Sequence, residues 1–420
     1  MKIVRSTRHS LKFSNKIKLE KFGAFLSEYQ RVGQFLIDEI WDNGYGGFNI
    51  KKDVLDIPKY IDYKHFKIET SLSARALSSL ATQIAGVISA STEKRRRKLW
   101  LFEKLEKEGK PNKNVKKQLA SERFLIVKPK FSQTAELSSK CIDISQDAKH
   151  FNFFVRLKSL GKEYGHIKIP VKLTDRDTHW IKLGGTRLGS ILFLKNELQI
   201  RYALEKEVKK NGLTLGADQG LKTVLTLSNG ETSPEKDRHN HSLDSICSKL
   251  ARKKKGSKAF GRAQEHRKNF INWSLNQLNF KDVKEIRLEK VININFGRRA
   301  SRKMQAWTNT EIRDKLLRLA EEREVLVVLQ DSTYRSQRCS CCGNVRKSNR
   351  KGKLYSCKHC GNTMDADLNA AKNHEINLPK LPFGIRDQKF NLKNGFFWNS
   401  LGITLYDGSE LRVPTSFKKE

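Results

Sequence analysis

The cysteines are the residues whose spacing most clearly indicates chemistry. Four of them form two pairs, each with two residues between its members and 14 residues between the pairs: Cys339 with Cys342, and Cys357 with Cys360. Two such pairs can hold four thiolates tetrahedrally around one Zn²⁺ in a closed structural site. Gly343 and Gly361 follow the pairs and suit the tight backbone turn that brings amide groups near sulfur. A redox dithiol is the alternative, and the spacing favours zinc.

The other cysteines carry no comparable pattern. Cys341 lies inside the first pair and is expected to point away from the metal, while Cys141 and Cys247 read as ordinary buried thiols. An odd total of seven, five of them within 22 positions, does not resemble a disulfide framework. The first 15 residues contain no apolar signal segment, so we expect a reducing compartment, the cytoplasm.

Three acidic residues stand out by position. Asp218 ends the apolar segment that begins at Leu213, Glu289 closes the predicted strand Ile286-Arg-Leu, and Asp367 begins a segment that looks helical. Carboxylate oxygens suit Mg²⁺, and two such ions about 3.5–4 Å apart can clamp the attacking and leaving oxygens of a phosphodiester. Each acid alone could equally be a surface carboxylate or a helix cap. Asp365 is a rival to Asp367.

The charge of the chain indicates a polyanionic partner. Its 420 residues include 83 Lys and Arg against 45 Asp and Glu, a formal net charge of +38. Self-repulsion of this size favours nucleic acid as the partner over a merely solvated surface. No apolar segment approaches the length that spans a bilayer, and the composition excludes a collagen or a disordered tail. The candidate nucleic-acid-binding residues are Arg95, Arg96, Arg97, Lys98, Lys253, Lys254, Lys255, Arg298 and Arg299.

Periodicity predicts how these residues are positioned. Apolar residues at three- and four-residue steps predict helices over 19–41 and 72–88, the second running into a very basic helix. Short alternating segments predict an isolated strand at 2–5 and several strands over 124–208, in a small barrel or sandwich. Beyond 212, strands at 213–218, 285–289 and 325–329 and a helix at 310–323 predict an α/β domain whose distant segments meet in one sheet.

Five motifs in a fixed order carry a resemblance to a known family. They are Gly216-Ala-Asp-Gln-Gly220, Arg287-Leu-Glu289, Tyr334-Arg-Ser-Gln-Arg-Cys-Ser-Cys-Cys-Gly343, Cys357-Lys-His-Cys-Gly361 and Asp367-Leu-Asn-Ala-Ala371. The chain resembles the TnpB family of transposon-encoded RNA-guided nucleases and the related miniature type V CRISPR effectors. The resemblance is specific over roughly 213–375, and over 1–212 only the order of elements agrees. Two departures, Gln219 in the first motif and Lys290 after the second, remove no metal ligand.

The resemblance implies an α+β multidomain fold. Its parts would be a first wedge strand (1–15), a helical recognition lobe (16–122), a β-barrel wedge domain (123–208) and a RuvC nuclease domain of RNase H-like fold (209–335 and 364–378). A zinc-ribbon insertion that binds target nucleic acid would cover 336–363, and the tail over 379–420 has no assigned role.

The resemblance also implies an activity. Asp218, Glu289 and Asp367 would hold two catalytic Mg²⁺ ions, Arg350 would assist them, and one structural Zn²⁺ would occupy the ribbon. The partners would be a guide RNA and a double-stranded DNA target next to a short flanking motif, with the protein a monomer or a homodimer on RNA. Three alternatives remain: a CRISPR-array effector rather than a TnpB, a guided repressor without cleavage, and a guide-independent nuclease or transposase.

Overall fold

The structure is a computed structural model that describes residues 2–45, 59–109, 112–146, 150–290, 302–381 and 395–405. These residues fall into two compact units, one from Lys2 to Glu205 and one from Lys206 onward. None of the helices in these ranges combines the length and apolar character that crossing a bilayer requires. Each unit is described by itself.

The N-terminal unit contains two long amphipathic helices. Its helices in the described ranges are α1 (Lys16–Asn43), α2 (Ala74–Lys107), α3 (Lys113–Leu119) and α4 (Asp175–Lys182). Asn15 caps α1 and Ser73 caps α2, each through a side chain that accepts a hydrogen bond from a backbone amide of the first turn. The predicted helix over 72–88 and the basic run that follows it belong to one helix, α2, whose last buried residue is Thr92.

The strands of this unit form two antiparallel sheets, ordered β1-β7-β6-β2 and β3-β4-β5. Their bounds are β1 Lys2–Ser10, β2 Thr134–Leu137, β3 Ile142–Ser145, β4 Phe153–Leu157, β5 Ile167–Val171, β6 Thr186–Leu194 and β7 Glu197–Glu205. The predicted strand at 2–5 is therefore part of β1, which pairs with β7 along its whole length.

The prediction of a closed β-barrel over 123–208 is wrong for the described residues, which form two open sheets. Helices α1 and α2 contact β2, where Ala135 and Leu137 are buried. Because helices cover this apolar face, the sheet does not need to close on itself. The strands predicted over 124–208 do not begin at 124. Glu122–Phe124 is a 3₁₀ turn, and Val127 is 73% exposed, so its apolar side chain has no core to enter.

The C-terminal unit is an α/β domain, as predicted. Its four-stranded sheet has the order β11-β10-β8-β9, with β8, β10 and β11 parallel and β9 antiparallel. The strands are β8 Leu213–Gln219, β9 Leu225–Leu227, β10 Val283–Glu289 and β11 Leu326–Gln330. The described helices are α5 Leu243–Ala251, α6 Lys258–Asn276, α7 Arg302–Ala306, α8 Asn309–Glu322 and α9 Ala366–Glu375.

Short strands complete this unit around the cysteine pairs. They are β12 Asn344–Val345, β13 Arg350–Lys351, β14 Leu354–Ser356, β15 Thr363–Asp365, β16 Phe396–Asn399 and β17 Gly402–Leu405. One sheet has the order β13-β14-β15, and the other joins β12 to the tail strands β16 and β17. Phe396 and Trp398 are buried against Val345 and Leu378, so this part of the tail forms a small core with the segment after the first cysteine pair.

Candidate active site

Two of the predicted acids lie side by side at the ends of adjacent parallel strands. Strands β8 and β10 are in register up to the pair Ala217 and Leu288, and Asp218 and Glu289 are the next residue on each strand. Because carboxyl ends of parallel strands meet at one edge of a sheet, the fold itself places these two carboxylates together. Both side chains are half-buried.

The third predicted acid reaches the same cleft from a helix. Asp367 lies in the first turn of α9 and is buried, and with Asp218 and Glu289 it lines a cleft of about 580 Å³. A Cβ built on Gly220, just beyond β8, would lie 3.8 Å from Asp367 Oδ2. Asp365, the rival candidate, is exposed, and its Oδ1 accepts hydrogen bonds from the amides of Asp367 and Leu368 as the N-cap of α9.

Two cations from the segment between the cysteine pairs neutralise Asp367. Arg350, predicted from sequence, places Nη2 3.2 Å from Asp367 Oδ1, and Lys353, which the sequence analysis missed, pairs its Nζ with Oδ2. Arg350 lies on β13 and Lys353 in the turn to β14, where Gly352 has φ +63°. This tight hairpin delivers both positive charges to one carboxylate, where they can also contact a phosphate.

Crowding of the acids changes their protonation. Burial, followed by the charges of Glu289 and Asp367, raises the pKa of Asp218 well above its ordinary value. Burial raises the pKa of Glu289 from 4.5 to about 7, against the opposing effects of the Gln219 amide and Arg350. Without a cation, therefore, the pair holds protons near neutral pH, and a divalent ion would displace them.

A histidine that the sequence analysis missed lies against the same two acids. His374 is 2% exposed, and one of its ring nitrogens lies within 4.8 Å of carboxylate oxygens of both Asp218 and Glu289. Burial, with a smaller effect of Arg335, lowers the pKa of His374 to about 3, so the ring is neutral. The spacing in the sequence could have predicted this position, because His374 follows Asp367 by seven residues, which is two turns along one face of α9.

Close packing of α9 on β8 fixes these distances. A Cβ built on Gly216 would lie 1.9 Å from the carbonyl oxygen of Ala371 and 2.3 Å from the amide nitrogen of Glu375. Only glycine permits the helix backbone to approach the strand this closely. The first glycine of the Gly216–Gly220 motif therefore positions α9, and with it Asp367 and His374.

The four predicted cysteines form a compact cluster. Sγ–Sγ distances are 3.7 Å for Cys339 and Cys360 and 3.6 Å for Cys342 and Cys357. All four sulfur atoms lie within 4.8 Å of one another, and a tetrahedron with Zn–S bonds of about 2.3 Å has edges of about 3.8 Å. The residues therefore fit a metal ion such as zinc. Cys341 is exposed and outside the cluster, and Cys141 and Cys247 are buried.

The two cysteine loops share one backbone arrangement. In each loop the first cysteine amide donates to the carbonyl five residues later, and the glycine amide donates back to the first cysteine carbonyl. Gly343 and Gly361 have φ values of +81° and +73°, a region that side chains disfavour, which explains the glycine after each pair.

Hydrogen bonds connect the cysteine cluster to α9. Asn369 Oδ1 accepts from the Ser340 amide at 3.0 Å and its Nδ2 donates to the Arg338 carbonyl at 2.8 Å. Asn373 Nδ2 also donates to that carbonyl, at 2.7 Å, and to the carbonyl of Arg335 at 3.0 Å. Both asparagines are fully buried, so the first cysteine loop is held against the helix that carries Asp367 and His374.

The predicted nucleic-acid-binding residues differ in whether their charged groups already pair with other residues of the protein. On α2, Arg95 donates to the carbonyls of Leu119 and Phe124, Arg96 and Arg97 pair with Glu93, and Lys98 lies over the Phe124 ring at 5.2 Å. These cations partly organise the unit itself.

The second basic run is open to solvent. Lys253, Lys254 and Lys255 are exposed in the turn between α5 and α6, and they border a cavity of about 580 Å³ together with Arg252 and Arg302. Arg298 and Arg299 lie outside the described residues.

Three tryptophans that lie beside basic runs of the sequence differ in their exposure. Trp100 is 58% exposed, whereas Trp273 and Trp307 are partly buried against the core of the C-terminal unit.

Comparison with known proteins finds a matching family and related sequences. Residues 310–374 match the family described as "Cas12f1-like, TNB domain". The chain is 40% identical over 99 residues to the CRISPR-associated endodeoxyribonuclease Cas12f1 of Sulfoacidibacillus thermotolerans, a match covering 23% of this chain and 23% of that protein. It is 36% identical over 62 residues to the Cas12f1 of Syntrophomonas palmitatica, covering 14% and 12% respectively. These matches thus span less than a quarter of the relatives' length.

The fold agrees over a longer stretch. CasPhi-2 (Cas12j), solved by cryo-EM bound to crRNA and phosphorothioate-DNA, matches with a TM-score of 0.54 at 10% identity, over 90% of this chain and 93% of that one. At this identity the match concerns the fold alone. The resemblance recognised from the motifs is confirmed: the chain is similar to the TnpB nucleases and the miniature type V CRISPR effectors.

Proposed function

We propose that the chain is an RNA-guided DNA endonuclease that cleaves guide-matched DNA next to a short flanking motif by two-metal RuvC hydrolysis. The observation that carries the proposal is the convergence of Asp218, Glu289 and Asp367, from three sequence-distant elements, in one cleft beside Arg350. The matched relatives are named endodeoxyribonucleases, which supports DNA as the substrate. All three acids are present, which argues against a repressor that has lost cleavage.

The chain's own residues have separate tasks in this reaction. Asp218, Glu289 and Asp367 would hold the cations, for which their oxygen donors are suited. When bound, divalent ions supply an activated water and stabilise the leaving 3′-oxygen. Arg350 and Lys353 offset the charge that builds up on the scissile phosphate. The products would carry 5′-phosphate and 3′-hydroxyl ends.

Target choice would come from base pairing with a guide RNA, the protein holding the heteroduplex by its backbone. The exposed Lys253, Lys254 and Lys255, with Arg252 and Arg302 beside them, form a basic surface suited to phosphates. Binding to such a surface weakens steeply as salt rises. The proposal also assigns two parts of the chain: a recognition lobe over 16–122 and a zinc-bearing ribbon that binds the target over 336–363. A reducing compartment with access to DNA, the cytoplasm, is the proposed location.

Identity with two Cas12f1 proteins favours a compact type V effector over a transposon-encoded TnpB. The two share one chemistry and differ in the source of their guide. Sequencing the RNA that copurifies with the protein separates them, because one carries a CRISPR repeat and the other a transposon end. Copurification of no discrete RNA would favour the guide-independent nuclease instead.

The catalytic part of the proposal is tested on the protein–RNA complex with guide-matched DNA and Mg²⁺. We expect Asp218→Ala to lower the cleavage rate by more than about a hundredfold while leaving RNA binding unchanged. Asp365→Asn is the matched control, because asparagine can still cap α9 and the rate should stay within about twofold. Unchanged cleavage in Asp218→Ala would show that the site is wrongly assigned.

A further inference from the structure

His374 is a buried polar side chain with an unexplained environment. It is 2% exposed, and its Nδ1 atom is buried without a hydrogen-bond partner among the described residues. Buried imidazoles ordinarily pair both ring nitrogens, because an unpaired polar atom away from water costs free energy. A nitrogen that lacks a protein partner is available to a ligand.

The groups around the imidazole do not supply that partner. Arg335, the cation that faces it, directs its donors to the carbonyl oxygens of Asp331, Asn373 and Ile376. Carboxylate oxygens of Asp218 and Glu289 lie within 4.8 Å of a ring nitrogen of His374 and of each other. Two carboxylates and an imidazole at this separation are a donor set for one divalent cation.

Asp367 is not part of this three-ligand group in the described part of the chain. Its carboxylate is paired instead with Arg350 and Lys353. A cation beside His374 would therefore meet both nitrogen and oxygen donors, whereas a cation beside Asp367 would meet oxygen donors. Close packing at Gly216 holds the His374 backbone in place, so the ring does not need to travel to reach a cation.

We propose that His374 is a direct ligand of the cation held by Asp218 and Glu289, and that its nitrogen shifts the preference of this position from Mg²⁺ toward Mn²⁺. The inference rests on the proposed function, since it adds a ligand to the same metal site. Mg²⁺ prefers oxygen donors strongly, whereas Mn²⁺ accepts imidazole more readily. Loss of the imidazole should therefore affect Mn²⁺ binding more than Mg²⁺ binding.

The test measures cation binding, not cleavage, on the full chain with zinc in place. Mn²⁺ at less than one equivalent is examined by electron spin echo envelope modulation, in which a directly ligated ¹⁴N nucleus gives a characteristic modulation. His241→Ala serves as the background, because Asp237, His241 and His266 form a second group that could hold a metal ion. Calorimetry gives the Mn²⁺ and Mg²⁺ affinities of each variant.

We expect ¹⁴N modulation in His241→Ala that disappears when His374→Leu is added. We also expect Mn²⁺ affinity to fall about tenfold and Mg²⁺ affinity to change by less than about threefold. Modulation that persists in the double variant, or is absent from the start, overturns the ligand assignment. Should His374→Leu fail to fold, [¹⁵N]histidine labelling is applied to a variant with both His241→Ala and His266→Ala, in which the second group has no histidine and an imidazole ligand converts the ¹⁴N modulation to ¹⁵N.

The Asp218→Asn variant distinguishes a failure of the His374 proposal from a failure of the proposed function. If this variant binds Mn²⁺ as the wild type does, the metal site of the proposed function is wrong. If it loses Mn²⁺ while the wild type shows no nitrogen coupling, the site stands and only His374 is excluded from it.

Discussion

Glu289 offers a measurable link between the active site and stability. Its pKa is raised from 4.5 to about 7 by burial, so the folded protein binds this proton more tightly than the unfolded chain does. The wild type therefore loses stability as pH rises from about 4.5 through 7, when the buried carboxylate must ionise. The difference between the two pKa values corresponds to about 3 kcal/mol.

Replacing Glu289 with glutamine should remove that loss. Above pH 8, in buffer free of Mg²⁺ and Mn²⁺ but with zinc retained, we expect Glu289→Gln to be more stable than the wild type by about 3 kcal/mol. For a unit of about 200 residues this is a rise of roughly 6–12 °C in the melting temperature. At pH 4.5 and below the two proteins should melt together, because both side chains are then neutral.

Thermal unfolding followed by circular dichroism at several pH values measures this difference. Glu265→Gln is the control, because Glu265 is exposed on α6 and its substitution should change stability by less than about 0.5 kcal/mol at any pH. Mg²⁺ at a hundredfold excess over its dissociation constant should stabilise the wild type by about 2.7 kcal/mol and remove most of the advantage of the variant. A gain that is equal at pH 4.5 and pH 9, or absent at pH 9, would refute the reasoning.

Three further predictions concern the elements that position the site. Gly216→Ala places a Cβ 1.9 Å from a carbonyl oxygen of α9 and should destabilise the protein by about 3 kcal/mol or more in urea unfolding. The control is Gly86→Ala on α2, where a Cβ would have nothing within 4 Å, and this variant should be more stable than the wild type by about 1 kcal/mol. Asp365→Ala should cost about 1 kcal/mol in the same assay and Asp365→Asn almost nothing, an order that a metal ligand would not give. Elemental analysis should find about one zinc per chain in the wild type and in Cys341→Ser, and much less in Cys357→Ser; zinc retained in the last variant contradicts the cluster.

The secondary structure was predictable where periodicity was long and strong. In α1 the apolar residues at three- and four-residue steps include Phe22, Leu26 and Leu36, and all three are buried in the structure. Strands β8 and β10 were predictable because each is a short segment with recurring apolar residues and an acid, Asp218 or Glu289, at its end. In contrast, β2 and β3 have four residues each, two or three of them only half-buried, and such short patterns do not differ from loops.

The barrel was mispredicted for a physical reason that a single sequence does not reveal. Alternating segments show that one face of each strand is apolar, but they do not show what covers that face. Here α1 and α2 contact β2, so helices take the place that further strands would have in a closed barrel. The role of the tail was hidden similarly, because Phe396 and Trp398 find their partners some 50 residues earlier, at Val345.

Within the site, sequence motifs identified residues that belong to recognisable patterns and missed those defined by position alone. Arg350 and Asp367 were named because motifs surround them, whereas Lys353 was one of 83 basic residues and His374 one of 10 histidines. Lys353 reaches Asp367 because the turn at Gly352 directs it there. His374 reaches Asp218 because α9 packs on Gly216, a contact between segments more than 150 residues apart.

Helix α9 makes the cysteine cluster and the acid cluster one cooperative structure. Its N-terminal turn supplies Asp367 and its buried face supplies His374. Asn369 and Asn373, on the same helix, donate to the carbonyl of Arg338, the residue before the first cysteine of the cluster. A distortion of the cysteine loop therefore breaks the hydrogen bonds of the buried Asn369 side chain with Ser340 and Arg338, at a cost of about 1–3 kcal/mol for the unpaired amide, unless α9 moves with it. Since α9 packs backbone to backbone against β8, such a movement displaces ligands of the proposed catalytic cations. Under the proposed function, the cysteine cluster would then contribute to catalysis through the position of a helix, even though it lies outside the reacting atoms.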